Sequence, residues 1–351
     1  MFHPDAAPRG VGFGENQAFW MHDEAAGIQI GRRRCNGRML MSKDLRFDGK
    51  VALITGGGVG LGRAYSLLLA ERGAKVVVNG NFRESGAGPE MDVAEEIRSA
   101  GGEAIGVNGS ISEDSVARRI IEQAVDTYGR LDILINNAGI GAMTPLIFDA
   151  PGPDTDRLVE NHLHGHLRMA RAAFPHLVKS GAGRIVTTGS SVALGWESPA
   201  GWDGSYSVAK ASLFGATRQM AGAGAPHGIK VNMIMPWSVT PLVERHIGHT
   251  PLGRWMTAKL QPEKVAAVVA FLAHQSCPVT GQFISAAGGR VTRIVFASPP
   301  GYFNPDLSVE DVRDNWAEIF GDVDEAGNMT GFFEVEGQPT EFAKIKELVG
   351  E

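Results

Sequence analysis

Tyr206 and Lys210 have the residue types and spacing needed for proton transfer. Four residues apart on a helix, the two side chains lie on one face, so the ammonium group can stabilise a phenolate. A phenol has a pKa near 10, and lowering it by about three units requires about 4 kcal/mol of extra stabilisation of the phenolate. Such a pair could take the hydroxyl proton of an alcohol near neutral pH or return it to a ketone.

A glycine-rich stretch, residues 55–62, follows the apolar run 51–54 and could bind an anionic group. Glycines let the backbone turn tightly and approach a pyrophosphate, which rests against the positive end of the next helix. Because a chain with 46 glycines contains such patterns by chance, the elements on either side decide whether this one is meaningful. A helical pattern at 61–71 and a second apolar run at 76–78 follow. This order predicts a strand–helix–strand unit that binds a dinucleotide.

The elements that must position these groups alternate along the middle of the chain. Further short apolar runs occur at 105–107, 131–135, 184–186 and 230–234. Amphipathic helical patterns occur at 112–128, 156–179, 206–223 and 262–274. Apolar strands separated by helices are typical of a parallel sheet covered on both faces. The sequence therefore predicts a doubly wound α/β fold.

Composition indicates a globular protein with one large domain. The chain has 351 residues, of which 43% are hydrophobic and 21% are charged. This length can hold an α/β domain of about 250 residues with appendages. Apolar runs fall short of the ~20 residues that span a bilayer, and the N-terminus lacks the apolar core of a signal peptide. We therefore expect a cytoplasmic protein without a membrane partner.

Net charge and cysteine usage exclude other classes. The net charge of −6 argues against a general nucleic-acid-binding role, and the basic cluster Arg32–Arg34 is interpreted as a solvated tail. Cys35 and Cys277 form neither a disulfide framework nor the spacing of a metal site, so we expect buried or incidental thiols and no metal.

The patterns divide the chain into three parts. Residues 1–43 lack sustained periodicity, and we expect an N-terminal extension that is mobile or peripheral. Residues 44–290 form the nucleotide-binding domain, with a substrate lid at about 241–261. Residues 291–351 form a C-terminal extension in which 309–320 is predicted to be helical.

The chain resembles the short-chain dehydrogenase/reductase family in four sequence motifs, which occur in the same order along the chain as in that family. They are the turn at 55–62, Asn-Asn-Ala-Gly at 136–139, Ser190, and Tyr206-Ser-Val-Ala-Lys210. The resemblance covers roughly residues 48–290. It implies a Rossmann-like sheet of about seven parallel strands, NAD or NADP as cofactor, and hydride transfer between the nicotinamide and a secondary alcohol or ketone. A homodimer or homotetramer is also implied by the family alone.

A narrower resemblance is to the (3R)-hydroxyacyl-CoA dehydrogenase part of multifunctional β-oxidation enzymes and their bacterial stand-alone relatives. It rests on residues 260–263, 274–277 and 312–316. It implies a 3-hydroxyacyl-CoA as leading substrate and slightly favours NAD. Further domains follow this point in those enzymes, so we expect any hydratase partner to be a separate protein.

The resemblance also assigns catalytic roles. Tyr206 moves the proton, Lys210 stabilises its phenolate and binds the cofactor ribose, and Ser190 orients the substrate oxygen. His162 stands where the family usually has a catalytic Asn, and its ring can donate and accept hydrogen bonds as an amide does. Asn161 is the neighbouring alternative.

The cofactor contacts implied by the resemblance follow the ends of the strands. They are Thr55, Gly56, Val59, Gly60, Leu61, Gly62, Gly80, Asn81, Ser110, Ile111, Asn137, Ala138, Gly139, Tyr206, Lys210, Val239 and Thr240.

Two of these positions depart from the family. Gly80 stands where an enzyme specific for NAD has an acidic residue that binds the ribose hydroxyl. Without that acid a 2′-phosphate is not repelled, and Arg83 or Arg63 could attract one. Ser110 stands where an Asp commonly contacts the adenine, while Ile111 still packs on it. The choice between NAD and NADP therefore stays open.

Residues around the predicted substrate site could select the substrate. Trp237 replaces a family glycine and should narrow or roof the site, and Trp196 and Trp202 are expected at its mouth. The lid carries polar and aromatic residues at Arg245, His246, His249, Arg254, Trp255 and Lys259. Its cations could meet acyl-CoA phosphates. Equally, the segment could be an amphipathic helix pair with a polar outer face.

Two alternative functions remain. A sterol or other cyclic alcohol would need a mostly apolar slot instead of cations. A non-catalytic nucleotide-binding regulatory protein would share the fold, but the intact Ser190, Tyr206 and Lys210 argue against it.

Overall fold

The computed structural model describes residues 45–81, 88–141, 152–195, 204–240, 244, 250–324, 329 and 331–335. The chain divides into two units, 1–43 and 44–351, and all described residues belong to the second. Several positions singled out in the sequence therefore lie outside the described residues, namely the extension 1–43, Arg83, Trp196, Trp202, Arg245, His246 and His249.

One large sheet forms the centre of the described chain. Its strands are β1 (Val51–Ile54), β2 (Lys75–Gly80), β3 (Glu103–Asn108), β4 (Ile133–Asn136), β5 (Arg184–Thr188), β6 (Lys230–Trp237), β7 (Phe283–Ala287) and β8 (Arg290–Ile294). Their spatial order is β3-β2-β1-β4-β5-β6-β7-β8. Strands β1 to β7 pair in parallel, and β8 pairs antiparallel with β7. The predicted doubly wound parallel sheet is confirmed, with an antiparallel edge strand added that the sequence patterns do not indicate.

Burial on both faces explains why the central strands are apolar throughout. Every residue of β1 and β4 is buried. In β1, Ala52 and Ile54 join one apolar cluster, and Val51 and Leu53 join a second. This alternation is the two-residue period of a strand with helices on each side. Burying one such Leu or Ile side chain contributes roughly 1.5–3 kcal/mol.

Helices cover the two faces of the sheet. Those packed on it are α1 (Gly60–Glu71), α2 (Pro89–Ser99), α3 (Asp114–Tyr128), α5 (His166–Ser180), α6 (Gly204–Gly224) and α8 (Pro262–Ala273), and the described chain also contains the shorter helices α4 (Gly152–Val159) and α7 (Pro251–Lys259). The patterns at 112–128, 206–223 and 262–274 match α3, α6 and α8. The single helix expected at 156–179 is instead α4 and α5 joined by a π-helical turn, Glu160–Gly165. Helix α2 has no counterpart among the predicted helices.

The C-terminal region adds short elements. The helix expected at 309–320 is two helices, α9 (Val309–Asp314) and α10 (Trp316–Phe320), which meet at Asn315. Strands β9 (Ala297–Ser298) and β10 (Phe333–Glu334) pair antiparallel in a small second sheet. None of the helices described here is long and apolar enough to cross a bilayer.

Candidate active site

Lys210 lies in the interior beside Tyr206, both on α6. Its side chain is buried, and its Nζ donates a hydrogen bond to the Thr188 carbonyl oxygen at 2.8 Å. The same Nζ lies 5.6 Å from the centroid of the Tyr206 ring. Burial lowers the pKa of Lys210 to about 7. Thr188, at the end of β5, was not expected from sequence, because a backbone carbonyl leaves no residue-type signal.

His162 lies in the π-helical turn and contacts Tyr206. Its buried ring meets the Tyr206 ring edge to face, with centroids 5.3 Å apart. Its Nε2 donates to the Ile140 carbonyl oxygen at 2.8 Å, while Nδ1 has no hydrogen-bond partner among the described residues. The alternative, Asn161, instead donates its amide to the Ser112 hydroxyl at 3.5 Å. Of the two, His162 is the residue in contact with Tyr206.

His166, the first residue of α5, is a further member that the sequence analysis missed. It is fully buried, its Nε2 donates to the Ala138 carbonyl oxygen at 2.9 Å, and its ring centroid is 6.4 Å from that of His162. Burial and then Lys210 lower the pKa of His166 to about 3. The same two causes lower that of His162 to about 2. Both imidazoles are therefore neutral near pH 7, so Lys210 is the member of this trio that can carry the positive charge. The spacing of the two histidines is the signal that could have identified His166.

Ser190 follows β5 at the start of a 3₁₀ turn, Ser191–Leu194. Its Oγ accepts a hydrogen bond from the Val192 N–H at 3.3 Å. A hydroxyl that accepts one N–H still has its own proton to donate. The half-buried Ser190 can therefore donate to an oxygen of a bound substrate.

Replacing His162 with Asn is expected to make the protein lose less stability in acid. The pKa of His162 falls from 6.5 to about 2 on folding. Between these values the unfolded chain binds a proton that the folded protein does not, so stability falls as the pH falls below 6.5. One such group contributes a slope of up to about 1.4 kcal/mol per pH unit.

The measurement is urea unfolding at several pH values between about 6 and 4.5. His164→Asn, at an exposed position of the same turn, is the control. A flatter dependence in the His162 variant alone supports the assignment, and equal slopes in the two variants contradict it.

The turn after β1 is tied to the end of β4 by Thr55 and Asn137. The Thr55 Oγ1 accepts from the backbone N–H groups of Asn137 and Ala138, each at 2.9 Å. The Asn137 side chain donates back to the carbonyl oxygens of Thr55 and Gly56, at 3.0 and 3.3 Å. These bonds fix the shape of the glycine turn before any ligand binds.

The glycine turn and the start of α1 fit a pyrophosphate. Gly56 has a φ of +63°, and a Cβ on Gly62 would lie 2.0 Å from the Gly56 carbonyl oxygen. Only glycine is compatible with this approach at position 62. The first turn of α1 contains no acidic residue, and Val59 gives it no side-chain cap. Its N–H groups and the positive end of the helix dipole are thus suited to the phosphates of a dinucleotide.

The remaining predicted cofactor residues also follow strand ends. Ser110 and Ile111 come after β3; the Ser110 hydroxyl accepts from the Ser112 N–H at 3.2 Å, and Ile111 is buried. Val239 and Thr240 come after β6 and are half-buried, and the Val239 N–H donates to the Leu260 carbonyl oxygen at 2.9 Å. The rest of the set lies in the glycine turn or at the ends of β2 and β4, namely Val59, Gly60, Leu61, Gly80, Asn81 and Gly139.

The described residues of the predicted lid are 244 and 250–261, most of which form α7. Thr250 caps it, since its Oγ1 accepts from the Gly253 N–H at 3.0 Å. Arg254, Trp255 and Lys259 on this helix are exposed. Trp237, at the end of β6, is also exposed. The helix therefore presents both cations and an aromatic ring at its surface.

Comparisons with known proteins show which family the chain belongs to. Residues 50–250 match the family model described as short chain dehydrogenase. Peroxisomal multifunctional enzyme type 2 of Drosophila melanogaster is 35% identical over 320 residues, covering 88% of this chain and 51% of that protein. A short-chain type dehydrogenase/reductase of Mycobacterium tuberculosis is 34% identical over 279 residues, covering 77% of this chain and 93% of that protein.

A solved structure gives the same result. The full-length Drosophila enzyme superposes with a TM-score of 0.68 at 31% identity, covering 87% of this chain and 50% of that chain. This chain thus spans about half the length of that relative. The narrower resemblance to multifunctional enzymes is confirmed. The family model, the relatives and the fold all agree, and the chain belongs to the short-chain dehydrogenase/reductase family.

Proposed function

We propose that the protein interconverts 3-hydroxyacyl-CoA and 3-ketoacyl-CoA with NAD as the redox partner. As a family member it is an oxidoreductase acting on alcohol or ketone groups. The observation that carries the chemistry is the buried Lys210 beside Tyr206, with two neutral imidazoles next to it. The choice of an acyl-CoA is supported by the resemblance to multifunctional β-oxidation enzymes and by relatives that bear such names.

The proton is handled by Tyr206. In the oxidation direction its phenolate takes the proton of the substrate hydroxyl, and the carbon–oxygen single bond becomes a carbonyl. Ser190 donates a hydrogen bond to that oxygen and holds it towards Tyr206. Lys210 is the cation that stabilises the phenolate. A nicotinamide cofactor held by the glycine turn, Lys210 and residues 239–240 would supply the hydride chemistry, as acceptor in this direction and as donor in the reverse one.

His162 is proposed to position a proton route rather than to exchange a proton itself. Its ring stays neutral because its pKa is lowered to about 2. With Nε2 donating to the Ile140 carbonyl oxygen, Nδ1 is left as an acceptor. That acceptor suits a water molecule linking Lys210 to solvent.

The glycine turn and the first turn of α1 would hold the pyrophosphate, and Asn137 would hold the turn in shape. Support for NAD over NADP comes from Arg63, one of the cations that could attract a 2′-phosphate. Its guanidinium donates to both carboxyl oxygens of Glu96, each at 2.7 Å. This ion pair joins α1 to α2 at the surface and neutralises the charge of Arg63, which makes Arg63 less able to attract a 2′-phosphate.

The acyl-CoA would approach α7, where Arg254 and Lys259 lie at the surface. Cations at these positions suit the phosphates of coenzyme A. Self-association as a homodimer or homotetramer and a cytoplasmic location stay predictions, and the first of them rests on the family resemblance alone.

The proposal predicts that purified protein oxidises NADH when it is given acetoacetyl-CoA. The measurement follows the absorbance of the reduced cofactor, with NADH and NADPH tested separately and a panel of cyclic ketones offered in parallel. Turnover of the thioester with a higher kcat/KM for NADH supports the proposal. Turnover with cyclic ketones alone would replace the acyl-CoA by a sterol-like alcohol. Cofactor binding without turnover of any substrate would contradict the enzymatic role.

A further inference from the structure

Glu90, in the first turn of α2, is a carboxyl group buried without full hydrogen bonding. The residue has 0% of its surface exposed. Its Oε1 accepts a hydrogen bond from the Asn108 side chain at 2.9 Å. Its Oε2 has no hydrogen-bond partner among the described residues. A buried polar atom left unpaired has lost its hydration without compensation, and such atoms are rare in native proteins.

The surroundings of Glu90 indicate what its unpaired oxygen could bind. A Cβ built on Gly80, the last residue of β2, would lie 2.3 Å from Glu90 Oε2. A Cβ built on Gly58, in the glycine turn, would lie 2.6 Å from the Glu90 backbone nitrogen. Asn108 is the last residue of β3. Glu90 thus lies beside the glycine turn and the last residues of β2 and β3.

This is the region where dinucleotide-binding folds bind the adenosine ribose, through an acidic residue at the end of the second strand. Here the strand ends in Gly80 and carries no such acid. The Glu90 carboxyl, delivered from the following helix, occupies the space that a side chain at position 80 would need. An aspartate at position 80 and Glu90 in its present place are mutually exclusive.

We propose that Glu90 replaces the missing strand acid and makes the protein select NAD over NADP. The unpaired Oε2 accepts a hydrogen bond from a hydroxyl of the adenosine ribose. A 2′-phosphate would instead bring negative charge and bulk against a buried carboxylate, which cannot move away from Asn108 without losing its hydrogen bond. The inference rests on the proposed NAD-linked function, and it names the residue that sets the cofactor choice.

The test measures cofactor binding alone. Dissociation constants of NADH and NADPH are determined by calorimetry for the wild type and for Glu90→Gln, which keeps the shape and removes the charge. The wild type is expected to bind NADH at least about tenfold more tightly than NADPH. In Glu90→Gln the ratio of the Kd for NADPH to the Kd for NADH is expected to fall about tenfold or more, because NADPH binds more tightly and NADH more weakly.

Asp92→Asn is the matched control, since it removes the same charge from an exposed position of the same helix. Its Kd ratio is expected to equal that of the wild type. An unchanged ratio in Glu90→Gln, or an equal change in both variants, overturns the proposal. So does a loss of thermal stability in Glu90→Gln without any change in the ratio, because Glu90 would then serve only to join α2 to Asn108.

A second variant tests the idea even if Glu90→Gln fails to fold. The double variant Gly80→Asp/Glu90→Ala moves the acid to the strand and clears the space for it. It is expected to regain the preference for NADH, whereas Gly80→Asp alone is expected to lose stability through the overlap with Glu90. A double variant that folds and shows no preference overturns the proposal. The binding measurements contain no substrate and do not depend on which substrate the enzyme uses. Failure to turn over an acyl-CoA would therefore contradict only the proposed function. Failure to bind either cofactor would contradict both.

Discussion

Tyr206→Phe is expected to lower kcat by about 10²–10⁴ and to leave the Kd for NADH nearly unchanged. The variant keeps the ring that contacts His162 and lies 5.6 Å from the Lys210 ammonium nitrogen. It loses the hydroxyl that we propose exchanges a proton with the substrate. Nothing else on α6 is altered, so the loss should appear in the chemical step rather than in binding.

The measurement is steady-state turnover of acetoacetyl-CoA together with calorimetric titration of NADH. Tyr128→Phe is the control, because it removes the same hydroxyl from α3, where the ring lies against Lys75 and outside the site. It should retain wild-type turnover. A Tyr206→Phe variant with more than about a tenth of the wild-type kcat would show that another group transfers the proton.

Gly62→Ala is expected to weaken NADH binding by at least about tenfold and to lower the free energy of unfolding by about 1–3 kcal/mol. The new Cβ would lie 2.0 Å from the Gly56 carbonyl oxygen and 2.7 Å from the Asn137 side-chain nitrogen. The first of these is a backbone atom, so the glycine turn itself must open. Opening it moves the N–H groups that would hold the pyrophosphate.

Gly215→Ala provides the comparison. Gly215 lies within α6, and beyond its chain neighbours and the adjoining helix backbone its added Cβ would meet no atom within 4 Å. Replacing an exposed helical glycine with alanine stabilises a helix by about 1 kcal/mol, so this variant should bind NADH normally and unfold at slightly higher urea concentration. Equal behaviour of the two variants would show that the close approach at Gly62 is unimportant.

Features that are local in sequence could be predicted. The apolar runs became buried parallel strands because the central strands have helices on both sides. The spacing of Tyr206 and Lys210 placed both on one helix, and the order of the four motifs identified the family.

Features that depend on distant contacts could not be predicted. Helix α2 was missed because five of its eleven residues are charged and a glycine-rich stretch precedes it, so its apolar period is weak. Glu90 was missed with it, since its significance lies in contacts with Gly80 and Asn108, each far away in sequence. The edge strand β8 alternates exposed and half-buried residues, which is a much weaker signal than a fully buried run.

The π-helical turn between α4 and α5 makes the site sensitive to deletions in this part of the chain. Such a turn corresponds to an α-helix with one residue inserted. Deleting one codon within 160–165 would restore a continuous helix and rotate α4 by about 100° relative to α5. His166 would keep its place, but His162 would turn away from Tyr206. We therefore expect a one-residue deletion here to remove the contact between His162 and Tyr206, which a substitution at the exposed His164 would leave in place.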